Sequence, residues 1–178
     1  MFDNLNIWSK STYKILKVLS ADPNERLHVR EIARQSEISP STASNILRDL
    51  EQENMLAKEI VGRQTFYSVN MNNPVIKQFK VFDNVLNLYH IVHKIKEVSD
   101  KIVLFGSAAK GTNTKNSDID LFIKTSSPDD VKGRIKGYEI ISPIITRPED
   151  FTMFKKENEA LYENIKRGIV LWSREDEL

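Results

Sequence analysis

Ile102-Val103-Leu104-Phe105-Gly106-Ser107-Ala108-Ala109-Lys110-Gly111, followed after five residues by Ser117-Asp118-Ile119-Asp120-Leu121, decides the reading of this 178-residue chain. Four apolar residues make a short strand that delivers the backbone to Gly106-Ser107, where the missing side chain lets backbone amides come close to an anion. The Ser107 hydroxyl adds a donor to a phosphate oxygen, Lys110 adds a positive charge, and Gly111 supplies the next tight bend. Asp118 and Asp120 flank one apolar position, so the two-residue period of a strand turns both carboxylates to one face while Ile119 faces the core. Carboxylates converging in this way repel each other unless a cation lies between them. The chain has no cysteine, which leaves oxygen or imidazole ligands, and two acids together with substrate phosphates suit Mg2+.

Working downstream, apolar runs predict a strand over residues 119–123, a short helix over 129–136 and a third strand over 138–145. A helix about 157–166, a glycine cap at Gly168 and a last strand over 169–172 complete the tail. Upstream, residues 75–98 carry Val75, Ile76, Phe79, Phe82, Val85, Leu86, Leu88, Ile91, Val92 and Ile95 at helical spacing, which predicts one or two linking helices after the break at Asn72-Asn73-Pro74.

Ahead of that break, residues 10–20 read as a helix with Tyr13, Ile15, Leu16, Val18 and Leu19 apolar. Residues 26–28 read as a short strand, and residues 29–35 as a second helix with Ile32 and Ala33 inward. A tight turn at Ser36 and Glu37 leads to Ser39-Pro40, a helix-start signal with serine as cap and proline at the first position. Thr42, Ala43, Ile46, Leu47 and Leu50 form the stripe of the helix that follows. Residues 56–61 and 65–69 alternate apolar and polar about Gly62-Arg63-Gln64, which predicts a hairpin. Helix, helix, turn, helix and hairpin is the winged helix-turn-helix order.

Forty per cent hydrophobic residues with only 6 Gly and 6 Pro exclude a disordered or fibrous chain, and the length suits two small domains. The boundaries read as a winged helix-turn-helix domain over 1–72, a helical connector over 73–97 and a third segment over 98–178. No apolar run exceeds four residues, far short of the roughly 20 that span a bilayer, and MFDNLNIW carries an acid where a leader needs bases. No membrane partner and a cytoplasmic location are therefore expected. Net charge is +1, with 9 basic and 9 acidic residues in 1–75, 11 and 7 in 76–136, and 6 and 9 in 137–178. The middle block suits anionic phosphates, while the first has no bulk attraction for DNA.

Phe105-Gly106-Ser107, a ten-residue spacer and Asp118-Ile119-Asp120-Leu121 together resemble the minimal nucleotidyltransferases of the polymerase-beta superfamily. Either piece alone describes an ordinary turn or a strand edge; the specificity lies in their spacing. The resemblance covers about residues 98–172 and implies an α+β architecture in which a small mixed sheet is flanked by helices. It further implies magnesium held by Asp118 and Asp120 as catalytic residues, a nucleoside triphosphate bound by Gly106, Ser107, Lys110 and Ser117, and transfer of a nucleoside monophosphate to a hydroxyl with release of pyrophosphate. Active members carry a third carboxylate on the next strand. Here Glu139 shares a face with Ile141, and the register places Ser142 in that slot. Ala108 stands where many relatives have arginine. A domain that senses nucleotide without turning it over therefore remains an alternative.

The stretch from Leu27 to Ala33 with that from Ile38 to Glu51 resembles prokaryotic winged-helix regulators, over about residues 9–70. The resemblance implies double-stranded DNA as partner, with Ser41, Thr42, Ser44, Asn45 and Arg48 on the third helix as contacts and Arg63 at the wing tip reaching a phosphate or the minor groove. Electrical neutrality leaves a protein partner open as well, and the apolar connector offers a seam for a homodimer. An antitoxin-like role on a partner protein is a further alternative, because small nucleotidyltransferases often occur in such pairs. His90 and His93, three apart, read as packing or surface residues with no third metal ligand, and Phe66 and Tyr67 as core and wing packing.

Overall fold

Ser9 accepts a hydrogen bond from the Thr12 amide at 3.0 Å and so starts α1 (Lys10–Ala21). This is a computed structural model that describes residues 9–174; the MFDNLNIW stretch read against a leader lies outside the described residues. The chain divides into two units, Met1–Lys80 and Val81–Leu178.

In the first unit, β1 (Leu27–His28) leads into α2 (Val29–Ser36), capped by His28 Nδ1, which accepts from the Arg30 amide at 3.1 Å. Glu37, in the left-handed region at φ +55°, ends α2. Ser39 then caps α3 (Pro40–Gln52) through the Thr42 amide at 3.1 Å, with Pro40 in the first turn where no amide partner is needed. Strands β2 (Leu56–Val61) and β3 (Gln64–Val69) form the hairpin, and the sheet order is β1-β3-β2. The turn holds only Gly62-Arg63: Gln64, expected in the loop, pairs with Val61, and Gly62 takes φ +61° at the first of the two turn positions. Ile15, Leu16, Leu19, Ile32, Ala33, Ala43, Leu47 and Leu50 are buried together. Each large side chain among them contributes about 1.5–3 kcal/mol. Thr42, expected in the inward stripe, is exposed, because its hydroxyl lies 2.8 Å from that of Ser39 at the cap.

The linking segment is one helix, α4 (Pro74–Ile95), closed by a 3-10 turn at Lys96–Val98. Its Ile76 and Phe79 pack in the core of the first unit, and Leu88, Ile91 and Ile95 in that of the second. The second unit continues with β4 (Lys101–Leu104), α5 (Gly106–Lys110), β5 (Ile119–Lys124), α6 (Pro128–Ile135), β6 (Ile141–Thr146), α7 (Phe151–Glu157), α8 (Glu159–Lys166) and β7 (Ile169–Ser173). The sheet order is β6-β5-β4-β7, with β5 and β6 parallel and the other pairs antiparallel. Alternation divides the strands between two faces. Ile102, Leu104, Leu121 and Ile123 pack with α4 and α6, whereas Val103, Phe105 and Phe122 pack with Ile165, Phe151, Phe154 and Leu161. This is the mixed sheet flanked by helices that the resemblance implies.

Three local expectations change. The third strand of the second unit begins at Ile141 rather than 138, because the amide of Tyr138 bonds back to Ile135 O and that of Ile141 to Tyr138 O, making a turn of 138–141. The tail has two helices, α7 and α8, broken at Asn158. Arg167 rather than Gly168 caps α8; Gly168 is there because a β-carbon on it would lie 2.5 Å from Leu104 O.

Candidate functional site

As β4 ends, the Phe105 amide donates to Asp120 O at 3.1 Å, and the chain turns at Gly106 with φ +71°. A β-carbon built on Gly106 would stand 2.0 Å from Asp120 Oδ2. The glycine makes the room in which the Asp120 carboxylate lies. Asp118 is exposed just before β5, and Asp120 is half-buried one residue inside it. Burial, and then the charge of Asp118, push the Asp120 carboxyl above the usual carboxylate range.

Asp120 is in register with Ser142 on parallel β6, so both side chains project from one face, the face that carries Phe122 and Ile144. Ser142 is exposed, while Glu139 lies in the turn before the strand. Among the described residues, no group of three or more His, Asp or Glu side chains is placed to hold a metal ion. Two carboxylates beside a loop of backbone amides still fit magnesium, which completes its shell with phosphate oxygens and water.

The loop between Gly106 and Asp118 is held internally. Gly111, at φ +66°, closes α5, and the Thr112 amide donates to Ser107 O at 3.0 Å. Ser117 Oγ accepts from the Thr114 amide at 2.9 Å, and the Ser117 amide donates to Thr114 O at 3.1 Å, so Ser117 shapes the approach to Asp118. Lys110 is exposed at the end of α5. Buried Asn84 on α4 donates from Nδ2 both to Ala108 O at 2.9 Å and to Asn113 Oδ1 at 3.0 Å, while Asn113 Nδ2 donates back to Asn84 Oδ1 at 3.3 Å. Sequence reading passed over both asparagines. The available signal was phase: Asn84 falls in helical register with Leu88, Ile91 and Ile95, a polar residue on an inward stripe.

In the first unit Ser41, Thr42, Ser44, Asn45 and Arg48 are all exposed along α3, and Arg63 is exposed at the hairpin turn. Arg48 Nη2 donates to Asn45 Oδ1 at 3.3 Å, and Nε lies 3.8 Å from Asp49. Ile60 and Val61 expose 68 % and 53 % of their surface beside Arg63, so the wing is apolar as well as basic. His90 and His93 are exposed on α4, their rings 6.2 and 6.3 Å from that of Tyr89. Tyr67 is buried, and half-buried Phe66 lies edge-on to His28. No helix of the described residues is long and apolar enough to cross a membrane.

Residues 86–177, more than half of the chain, match the family model for polymerase beta nucleotidyltransferases. Residues 9–56 match the model for winged helix-turn-helix DNA-binding domains. No curated protein sequence matches the chain. Among solved structures, one assigned as a nucleotidyltransferase from Sulfolobus solfataricus is 17% identical, with TM-score 0.37, over 55% of this chain and 90% of its own. An antimony-specific transcriptional repressor is 16% identical, with TM-score 0.41, over 47% and 73%. A transcription regulator of a Staphylococcus aureus multidrug efflux pump is 19% identical, with TM-score 0.40, over 52% and 67%.

Proposed function

The chain belongs to the polymerase beta nucleotidyltransferase family, and from that membership we propose that it transfers a nucleoside monophosphate from a nucleoside triphosphate to an acceptor hydroxyl, while its winged helix binds DNA. The observation that supports the catalytic half is the seating of Asp120 against Gly106, which brings one of the two acids against the loop after β4. The Gly106 and Ser107 amides and the Ser107 hydroxyl hold the triphosphate, with Lys110 adding charge at its rim. Asp118 and Asp120 hold magnesium, which when bound neutralises charge on the phosphates and on the oxygen that leaves. The acceptor oxygen attacks the α-phosphorus, the bond to the bridging oxygen breaks, pyrophosphate departs, and the acceptor proton passes to solvent.

Ser142 favours a second reading. A hydroxyl opposite Asp120 supplies neither the charge nor the base strength of a third carboxylate, which suits a DNA-bound regulator whose C-terminal domain senses nucleotide. Both readings describe a cytoplasmic protein, and the α4 surface offers the seam for a homodimer. Titrating ATP, GTP, CTP and UTP calorimetrically with and without magnesium, followed by assay of pyrophosphate in the same samples, separates them. Magnesium-dependent binding with pyrophosphate release supports the transferase, binding without release supports the sensor, and no binding removes both.

A further inference from the structure

We infer that Asn84 is a positioning residue for the nucleotide site, acting with Asn113 to fix the loop that joins Ser107 to Asp118. The inference rests on the nucleotidyltransferase reading and deepens it. Asn84 is 8% exposed and sits on the inward phase of α4, where an amide is destabilising unless its donors are met. Both are met, and both by the loop. One hydrogen of Nδ2 goes to Ala108 O, inside the turn that carries Ser107. The other goes to Asn113 Oδ1, midway between α5 and Asp118, and Asn113 returns the bond. The bond to Ala108 O is unusual in another respect: the same carbonyl also receives the Gly111 amide at 3.4 Å, the left-handed bend that reverses the chain toward Asn113. One side chain thus holds the carbonyl at the bend and the side chain two residues beyond it. A leucine at this position would extend the stripe of Leu88, Ile91 and Ile95 and make a better core. The amide therefore serves the geometry of the loop at the expense of packing, as expected for residues that support a binding site.

The test uses the full chain with Asn84→Leu, Asn113→Ala and the double variant, each of the four nucleoside triphosphates as its non-cleavable α,β-methylene analogue with magnesium, and amide hydrogen exchange. Asn84→Leu is expected to keep or raise the melting temperature yet weaken analogue binding by about ten- to a hundredfold. Exchange should quicken at Gly111, Thr112 and Ser117 but not at Val103 or Phe122. Asn113→Ala should lose less, and the double variant no more than Asn84→Leu, because the two share one interaction. Wild-type affinity with wild-type loop protection in Asn84→Leu overturns the inference while leaving the transferase reading intact. Faster exchange throughout the second unit also overturns it, since Asn84 would then be holding the fold and not the loop. A wild-type protein that binds none of the four analogues overturns the nucleotide reading and the role of Asn84 together.

Discussion

Gly106 and Asp120 are packed so closely that no side chain fits between them: a β-carbon on the glycine would stand 2.0 Å from Oδ2 and 3.0 Å from Cγ of the aspartate. The pair ties the end of β4 to the start of β5 and sets where the carboxylate points.

Gly106→Ala should therefore do two separable things. The left-handed φ of +71° costs an alanine roughly 1–2 kcal/mol of stability, and the clash displaces the Asp120 carboxylate, which on the proposed function should lower magnesium-dependent nucleotide affinity about tenfold or more. Gly62→Ala is the control, because Gly62 has φ +61° but nothing within 4 Å of the built β-carbon. It should lose similar stability and no nucleotide affinity. Equal nucleotide affinities in the two variants, by calorimetry, would show that the contact with Asp120 has no part in binding.

Asp120→Asn should abolish magnesium-dependent nucleotide binding and at the same time stabilise the protein at neutral pH. The folded state raises the Asp120 carboxyl above its unfolded value through burial and the charge of Asp118. A raised carboxyl binds protons more readily folded than unfolded, so its contribution falls as pH rises out of the usual carboxylate range. At neutral pH the native charge is therefore a cost that asparagine removes. The gain in melting temperature over wild type should be largest near neutrality, shrink as pH falls through the raised carboxyl of the folded state, and be gone below about 4, where the wild-type carboxyl is protonated in the folded and unfolded protein alike. A melting temperature for the variant that is lower than wild type at every pH would contradict this account.

How much of this was legible beforehand depended on whether a local rule governed the residue. Ser39-Pro40 announced the start of α3 because cap chemistry is local; of the two acids read as sharing a strand face, Asp120 stands in β5 and Asp118 just before it. Ser142 fell opposite Asp120 as the register predicted, although the strand begins only at Ile141, since turn bonds of Tyr138 and Ile141 outcompete the ladder. The turn read at Ser36 and Glu37 is where α2 ends, with Glu37 at φ +55° although no glycine marks the left-handed position. Asn84 was hidden because its partners lie 24 and 29 residues away, and α7 because its Phe151 and Phe154 find their apolar face only against Phe122 on the sheet.

Ser142→Asp tests whether the site lacks only a third charge. The new carboxylate would leave the same face as that of Asp120, one strand away. Without magnesium it adds repulsion and should lower the melting temperature; with magnesium the loss should reverse. If the slot is the catalytic one, pyrophosphate release should rise by about a hundredfold or more, the usual contribution of a placed base. Unchanged release, with nucleotide still bound, would place the activating group elsewhere and strengthen the sensor reading.

The DNA interface is open to a charge-resolved test because the first 75 residues carry 9 basic and 9 acidic side chains, so that single charges stand out against a neutral background. Arg63 lies at the exposed hairpin turn, and as a phosphate contact its replacement by alanine should weaken binding to all sequences alike and reduce the slope of log affinity against log salt by about 1. Arg48 differs: it is held by Asn45 Oδ1 at 3.3 Å and neighbours Asp49 at 3.8 Å. Asp49→Asn should free Arg48 from that neighbour and tighten binding severalfold, whereas Arg48→Ala should relax sequence preference more than it changes the salt slope. Fluorescence anisotropy on a panel of duplexes across about 50–200 mM salt reads all three. A salt slope identical in wild type, Arg63→Ala and Arg48→Ala would remove DNA from this face and leave the apolar wing of Ile60 and Val61 as a surface for a protein partner.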